Sequence, residues 1–448
     1  LIEFNKLTNV QKERLFNQEK RQYPKGVIDC QDYFGFNQVS VDISPVKNEL
    51  VQGSSSTFSG KIINPFNYPI VEGQVFAKVF YKDSKSVTNE HLNGWRLVDQ
   101  FIAVDNITLK ANEQKPVTFS WKVPKYAREG NYEVSFYYTS AYHYSLTGLT
   151  FTNDITGNRS TFVIKSTSTE AVAYFDEDSV KLNDKNFYFA QPIPKFHKDD
   201  KVTSYINLIN PKSTSTEVEI SYKLYSWDSL YSGNLKNTIT EIISLKAGEK
   251  KLLSYDIPII NNDVSYLVVE VKDHDTSSIL DIRFARDGID ETHNNKLGIA
   301  TYPLKAGATS TLFACTHSAG SNTVKDSVIT ITLKDTTNKI LHTYMYAGGI
   351  TSNVLGFKDD FVLDKDLYDF TVTSNISQAG KPFEEISIHY SCTEIDSSIC
   401  PAKPSLSVPI KKNYNYYIYL MGMFLLTCIC GGVSFFLRKK NQNKHIVV

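Results

Sequence analysis

Apolar and polar residues alternate with a period of two over much of the chain. In "GQVFAKVFYKD" Val75, Ala77, Val79 and Tyr81 fall on one face, and in "EVEISYKLYSWD" Val218, Ile220, Tyr222 and Leu224 do the same. Val117, Phe119, Trp121 and Val123 form another such series, as do Leu253, Tyr255 and Ile257, and later Ile329, Ile331 and Leu333. Period two marks an extended strand with one face buried. These series predict an all-β fold. Before the apolar run near the end, "VQKERLFNQEKR" (Val10–Arg21) predicts no more than a short helix.

The series recur in a fixed order. "LKANEQKPVTFSWKVP" (Leu109–Pro124) returns as "LKAGEKKLLSYDIP" (Leu245–Pro258), each preceded by a strand pattern broken at Asn64-Pro65 or Asn210-Pro211. Proline ends a strand, and Asn112 or Gly248 sits where positive φ costs little. A tyrosine then leads a late strand in "NYEVSFYY", "SYLVVEV" and "LYDFTVT" (Tyr132, Tyr266, Tyr368), each predicted to open an inward alternation at a tyrosine-corner position. The third region lacks Asn-Pro and carries "GFKDDFVLDKD" in place of the repeated phrase.

This organisation predicts an irregular segment over 1–37 and three β-sandwiches over 38–165, 166–295 and 296–410. The boundaries fall near "KSTSTEA" and "DETHNNK". The strand order, the "LKAGE" turn and the "G-x-Y-x-V" strand resemble the immunoglobulin-like modules of the cell-adhesion-related type in bacterial and archaeal surface proteins. The resemblance covers Val41 to Ile164 and Ala171 to Lys272, with a weaker echo to Cys392, and departs at "NGWRLVDQF" (Asn93–Phe101). It implies sandwich modules serving adhesion, spacing or display, with no catalytic residues to carry over.

"YYIYLMGMFLLTCICGGVSFFL" (Tyr416–Leu437) contains no charge and is long enough to cross a hydrocarbon core of roughly 30 Å as a helix. Tyr414, Tyr416, Tyr417 and Tyr419 mark its entry, and Arg438, Lys439, Lys440 and Lys444 its exit. Basic flanks prefer the cytoplasmic side. A transmembrane helix is therefore expected over 414–437, with a short cytoplasmic tail over 438–448 and the bulk of the chain outside.

Formal net charge is zero, with no clustered basic excess, which argues against nucleic acid as a partner. Neither a nucleophile elbow, a zincin helix nor a phosphate loop occurs, and a non-catalytic protein is expected. Besides Cys428 and Cys430 in the apolar run, four cysteines allow three connectivities. Cys392 with Cys400 is the preferred disulfide; Cys315 with Cys392 or with Cys400 is the rival. "ARDGIDE" places Asp287, Asp290 and Glu291 at a predicted module junction as oxygen ligands for calcium, with a solvated loop as the alternative. "FYYTSAYHYSLTGLTF" offers Tyr138, Tyr142, His143 and Tyr144 as a ligand-binding surface, with a hairpin whose two faces are core and tyrosine-rich rim as the alternative. Glycosylation sequons stand at Asn106, Asn158 and Asn375. The expectation is a single-pass surface protein that contacts another surface macromolecule, protein or glycan, and the lipid bilayer. The alternatives are a carbohydrate-binding envelope protein and an accessory subunit of a membrane complex.

Overall fold

Alternation becomes strand after strand in the computed structural model, which describes residues 27–29, 39–82, 95–140, 158–166, 171–187, 194–226, 230, 232–289, 291–317, 324–350 and 355–401. The molecule is all-β. The first strand, β1 (Val27–Asp29), lies inside the stretch expected to be irregular and pairs antiparallel with a strand at Leu355–Val362.

A first pair of sheets follows. Its strands are β2 (Ser40–Pro45), β3 (Glu49–Val51), β4 (Ser55–Ile63), β5 (Ile70–Lys82), β6 (Trp95–Leu109), β7 (Gln114–Lys122), β8 (Gly130–Ser140) and β9 (Asn158–Lys165). One sheet has the order β2-β4-β7, the other β3-β9-β8-β5-β6. Pairing is antiparallel except between β3 and β9. Inward residues of both sheets share one core, where Phe58 packs edge-on against Trp121, Phe136 and Phe162.

The second pair repeats the first. It comprises β10 (Tyr174–Leu182), β11 (Lys185–Asn186), β12 (Lys195–His197), β13 (Val202–Ile209), β14 (Thr216–Ser226), β15 (Leu235–Leu245), β16 (Lys250–Ile257), β17 (Val264–Asp273) and β18 (Thr276–Asp287). The orders are β11-β10-β13-β16 and β12-β18-β17-β14-β15, again with one parallel contact, β12 to β18. The third pair holds β19 (His293–Ile299), β20 (Thr309–His317), β21 (Val324–Asp335), β22 (Ile340–Ile350), β23 (Leu355–Val362), β24 (Phe370–Gln378) and β25 (Lys381–Tyr390). Its sheets run β1-β23-β20-β19 and β22-β21-β24-β25. A single helical turn, α1 (Cys392–Ile395), follows, and Cys392 is bonded to Cys400 with a Cα–Cα distance of 5.3 Å. Cys315 is also disulfide-bonded, so the rival pairing to Cys392 or Cys400 does not occur.

The recurring phrase has a physical cause. Asn64 is fully buried; its side-chain amide donates to the carbonyls of Tyr68 and Lys110, at 2.8 Å each, and its oxygen accepts from the Phe66 amide. Asn210 does the same in the second pair, donating to Thr214 at 3.0 Å and Lys246 at 2.8 Å and accepting from Lys212. Each asparagine staples the turn after β4 or β13 to the "LKA" turn. There Glu113 or Glu249 accepts from the amide of Lys110 or Lys246 at 2.6 Å. Asn112 and Gly248 hold φ of 56° and 64°, as expected.

The three leading tyrosines divide. Tyr132 donates from its hydroxyl to the Arg128 carbonyl at 2.8 Å, the corner arrangement. Tyr266 is fully buried but points away from its own core: Leu267, Val269 and Val271 fill that core. Tyr368 stands at the mouth of β24, where Phe370, Val372 and Ile376 carry the inward face.

Tyr266 faces the first sheet pair. Its neighbours there are Phe80 and Leu97, with Tyr225, Val268 and Ile279 from its own side. Within this apolar contact Lys78 meets Asp281 at 2.6 Å, both side chains fully buried, and Gln100 donates to the second oxygen of Asp281. Residues 1–400 cluster as one compact unit. The first and third pairs also share core residues: Phe313 packs on Tyr68 with ring centroids 5.0 Å apart, and Val71 joins the third core. Among the described residues no helix is long and apolar enough to cross a membrane; the Tyr416–Leu437 run lies outside them.

Candidate functional site

Where the second sheet pair gives way to the third, titratable side chains converge. Asp263 immediately precedes β17, and its backbone is fixed on both sides: its carbonyl accepts from the Arg286 amide and its amide donates to Glu291 Oε2 at 2.9 Å. Glu291 and His293 lie two residues apart at the entry to β19, a spacing that puts both side chains on one face of an extended segment. His293 Nε2 lies 3.3 Å from Asp263 Oδ1 and 3.3 Å from Glu291 Oε2. On the other side of the ring, Nδ1 lies 3.3 Å from Oε1 of Glu384 on β25.

Glu384 is itself held. Its Oε2 accepts from the Asn294 amide at 2.6 Å and from the Asn294 side chain at 2.7 Å, while Ser374 donates to Asn294 Oδ1. Burial by itself would lower the pKa of His293, but hydrogen bonds to Asp263, Glu291 and Glu384 outweigh it and hold the imidazole well above its usual range. Burial would raise Glu291; hydrogen bonding to His293 and to Asp263 keeps it below the usual carboxylate range. The arrangement is chemically suited to holding positive charge.

The residues singled out in the sequence scatter around this cluster. Glu291 belongs to it. Asp287 does not: it is half-buried, with the Lys195 ammonium 3.9 Å away and its carbonyl accepting from the Lys198 amide. Asp290 lies outside the described residues. Asp263, His293 and Glu384 were missed; the signal at hand was the Glu-x-His spacing inside "DETHNNK".

Tyr138 lies on β8 with 7% of its surface exposed, its ring laid over Gly73 and facing the core, so it presents no ring for a ligand to stack on. Tyr142, His143 and Tyr144 lie outside the described residues. Asn106 is exposed at φ 51°, Asn375 is half-buried and donates to Glu385 at 2.9 Å, and Asn158 opens β9.

No protein-family model matches the chain, and no curated protein is similar to it in sequence. Among solved structures, trypsin-activated alpha-2-macroglobulin from Escherichia coli is similar over 78% of this chain and 23% of its own, at 8% identity and a TM-score of 0.33. Dimeric latent PorU from Porphyromonas gingivalis is similar over 79% and 33%, at 12% identity and a TM-score of 0.20. The chain thus spans a third or less of these structures, and likenesses at such scores carry no argument about this protein.

Proposed function

We propose that the chain is a non-catalytic cell-surface protein whose tandem immunoglobulin-like modules act by contact, in adhesion, recognition or envelope structure. In this reading the Tyr416–Leu437 run anchors it in the membrane, the sheets lie outside and the basic tail lies in the cytoplasm. One observation supports the reading above others. The sheet pairs are locked together through buried side chains, Lys78 on Asp281 foremost, which makes the assembly a rigid presenter of loops and edges. The repeated order of β3-β9-β8-β5-β6 and β12-β18-β17-β14-β15, with one parallel contact in each, supports the immunoglobulin-like reading.

The test is fractionation of cells making the full chain. The protein should stay with membranes through alkaline extraction, release when 414–448 is deleted, and yield its sheet region to protease on intact cells. A chain that washes off unaltered, or is protected from outside protease, overturns the reading. A second reading, accessory subunit of a membrane complex, is favoured by β15. This strand pairs only with β14 among the described residues and exposes 72% of Ile242 and 44% of Ile239, an edge open to strand addition. Co-purification of a stoichiometric partner in mild detergent would select it.

A further inference from the structure

One donor atom each from Asp263, Glu291 and His293 lies within 4.8 Å of the other two, and all three residues are buried. Nε2 stands 3.3 Å from each carboxylate oxygen. Nε2 has one hydrogen to offer two oxygens. These two equal separations match the edge of a tetrahedron whose corners lie about 2.0–2.1 Å from its centre, the distances at which zinc takes nitrogen and oxygen ligands.

The far side of the ring is built to the same end. A ligating histidine usually gives its other N–H to a carboxylate, which fixes tautomer and orientation. Glu384 occupies that place at 3.3 Å, backed by Asn294 and, behind it, Ser374. Charge points the same way: three carboxylates face one imidazole, and for Glu291 and Glu384 His293 is the sole ionic partner among the described residues.

We propose that Asp263, Glu291 and His293 bind one divalent cation of the zinc class, with Glu384 as a positioning residue on Nδ1. The nitrogen donor separates this site from the calcium expected around Asp287, Asp290 and Glu291, because calcium takes oxygen ligands and imidazole suits zinc. The three protein donors leave one position for water or for a second carboxylate oxygen. Asp263 is fully buried, and the Glu291 and His293 side chains are only 8% and 11% exposed, so the cation is a clamp between the second and third sheet pairs and not a centre open to substrate. The inference does not rest on the surface function proposed above.

The test uses the full chain, stripped with chelator and then titrated in parallel with zinc and calcium. One zinc per chain should bind and raise the melting temperature, with calcium doing neither over the same range. His293→Gln should abolish stoichiometric binding, and Glu384→Gln should weaken it roughly 10–100-fold. Cobalt(II) added to the wild-type chain should give the intense visible bands of a tetrahedral centre, a readout that stands even if the variants fail to fold. No stoichiometric zinc, equal uptake by wild type and H293Q, tighter binding of calcium, or a pale octahedral cobalt spectrum would each overturn the proposal.

Discussion

Lys78 and Asp281 meet one to one inside an apolar surround, whereas at His293 three carboxylates face a single imidazole. Both contacts join neighbouring sheet pairs, and both are buried. In the first, charge is matched and Gln100 satisfies the remaining carboxylate oxygen, so the contact is complete within the chain. In the second, three acidic groups gather about one base, and it is there that the proposed cation is placed. One junction is fixed on folding; the other is open to adjustment by what the surroundings supply.

The sharpest trial of that contrast is removal of one partner of the matched pair. Asp281→Ala removes the carboxylate paired with a buried ammonium and should cost about 3–5 kcal/mol in denaturant unfolding. Replacing both, Lys78→Met with Asp281→Leu, should recover most of this loss, since an apolar pair of similar volume fits the surround of Phe80, Leu97, Val268 and Ile279. Equal losses in the single and double variants would show that shape, not charge, holds the contact.

Within each sheet pair, Asn64→Ala and Asn210→Ala should each cost roughly 2–3 kcal/mol, because each removes three side-chain hydrogen bonds from a largely buried turn. The two losses should agree closely, their bonding being the same. A difference as large as either loss would mean that the staples are not equivalent. Cys400→Ser opens a loop with a sequence separation of 8 and should cost about 2.5 kcal/mol by loop entropy. Non-reducing peptide mapping of wild type should show Cys392 joined to Cys400, and Cys315 joined to neither of them.

The smallest effect belongs to Asp396. Its carboxyl is held below the usual range by Ser398, then by Lys110, whose ammonium lies 2.9 Å away. A depressed folded-state pKa contributes stability above the unfolded value and loses it as pH falls through the folded one. The melting temperature of Asp396→Asn should therefore lie slightly below wild type at neutral pH, and the gap should close in acid. A gap that persists unchanged in acid would exclude the ion pair as its source.

Inward faces were legible in the sequence because alternation records one burial event per strand: Val75, Ala77 and Val79 are all buried, as are Val218, Ile220, Tyr222 and Leu224. The staples were half legible, since Asn-Pro was visible as a break but not as a buried hydrogen-bonding hub. What alternation cannot record is a second burial event on the opposite face. Phe76, Lys78 and Phe80 read as the outward side of β5, and a lysine there reads as solvated, yet all three are buried, Lys78 and Phe80 against the second sheet pair. Tyr266 was misplaced for the same reason: β17 is apolar on both faces, and period two gives no way to choose between them. The carboxylate–histidine cluster was illegible because its members, Asp263, Glu291, His293 and Glu384, come from three distant parts of the chain. Only the pair at 291 and 293 shares a local spacing.

The pairing of β1 with β23 sets an order of events during synthesis. Val27–Asp29 leaves the ribosome well before the strand it docks against, Leu355–Val362. The first and second sheet pairs lie between them and can fold as they appear, while this short strand must wait for its partner. Completion of the third sheet pair is then a closing step that joins two segments far apart in the chain.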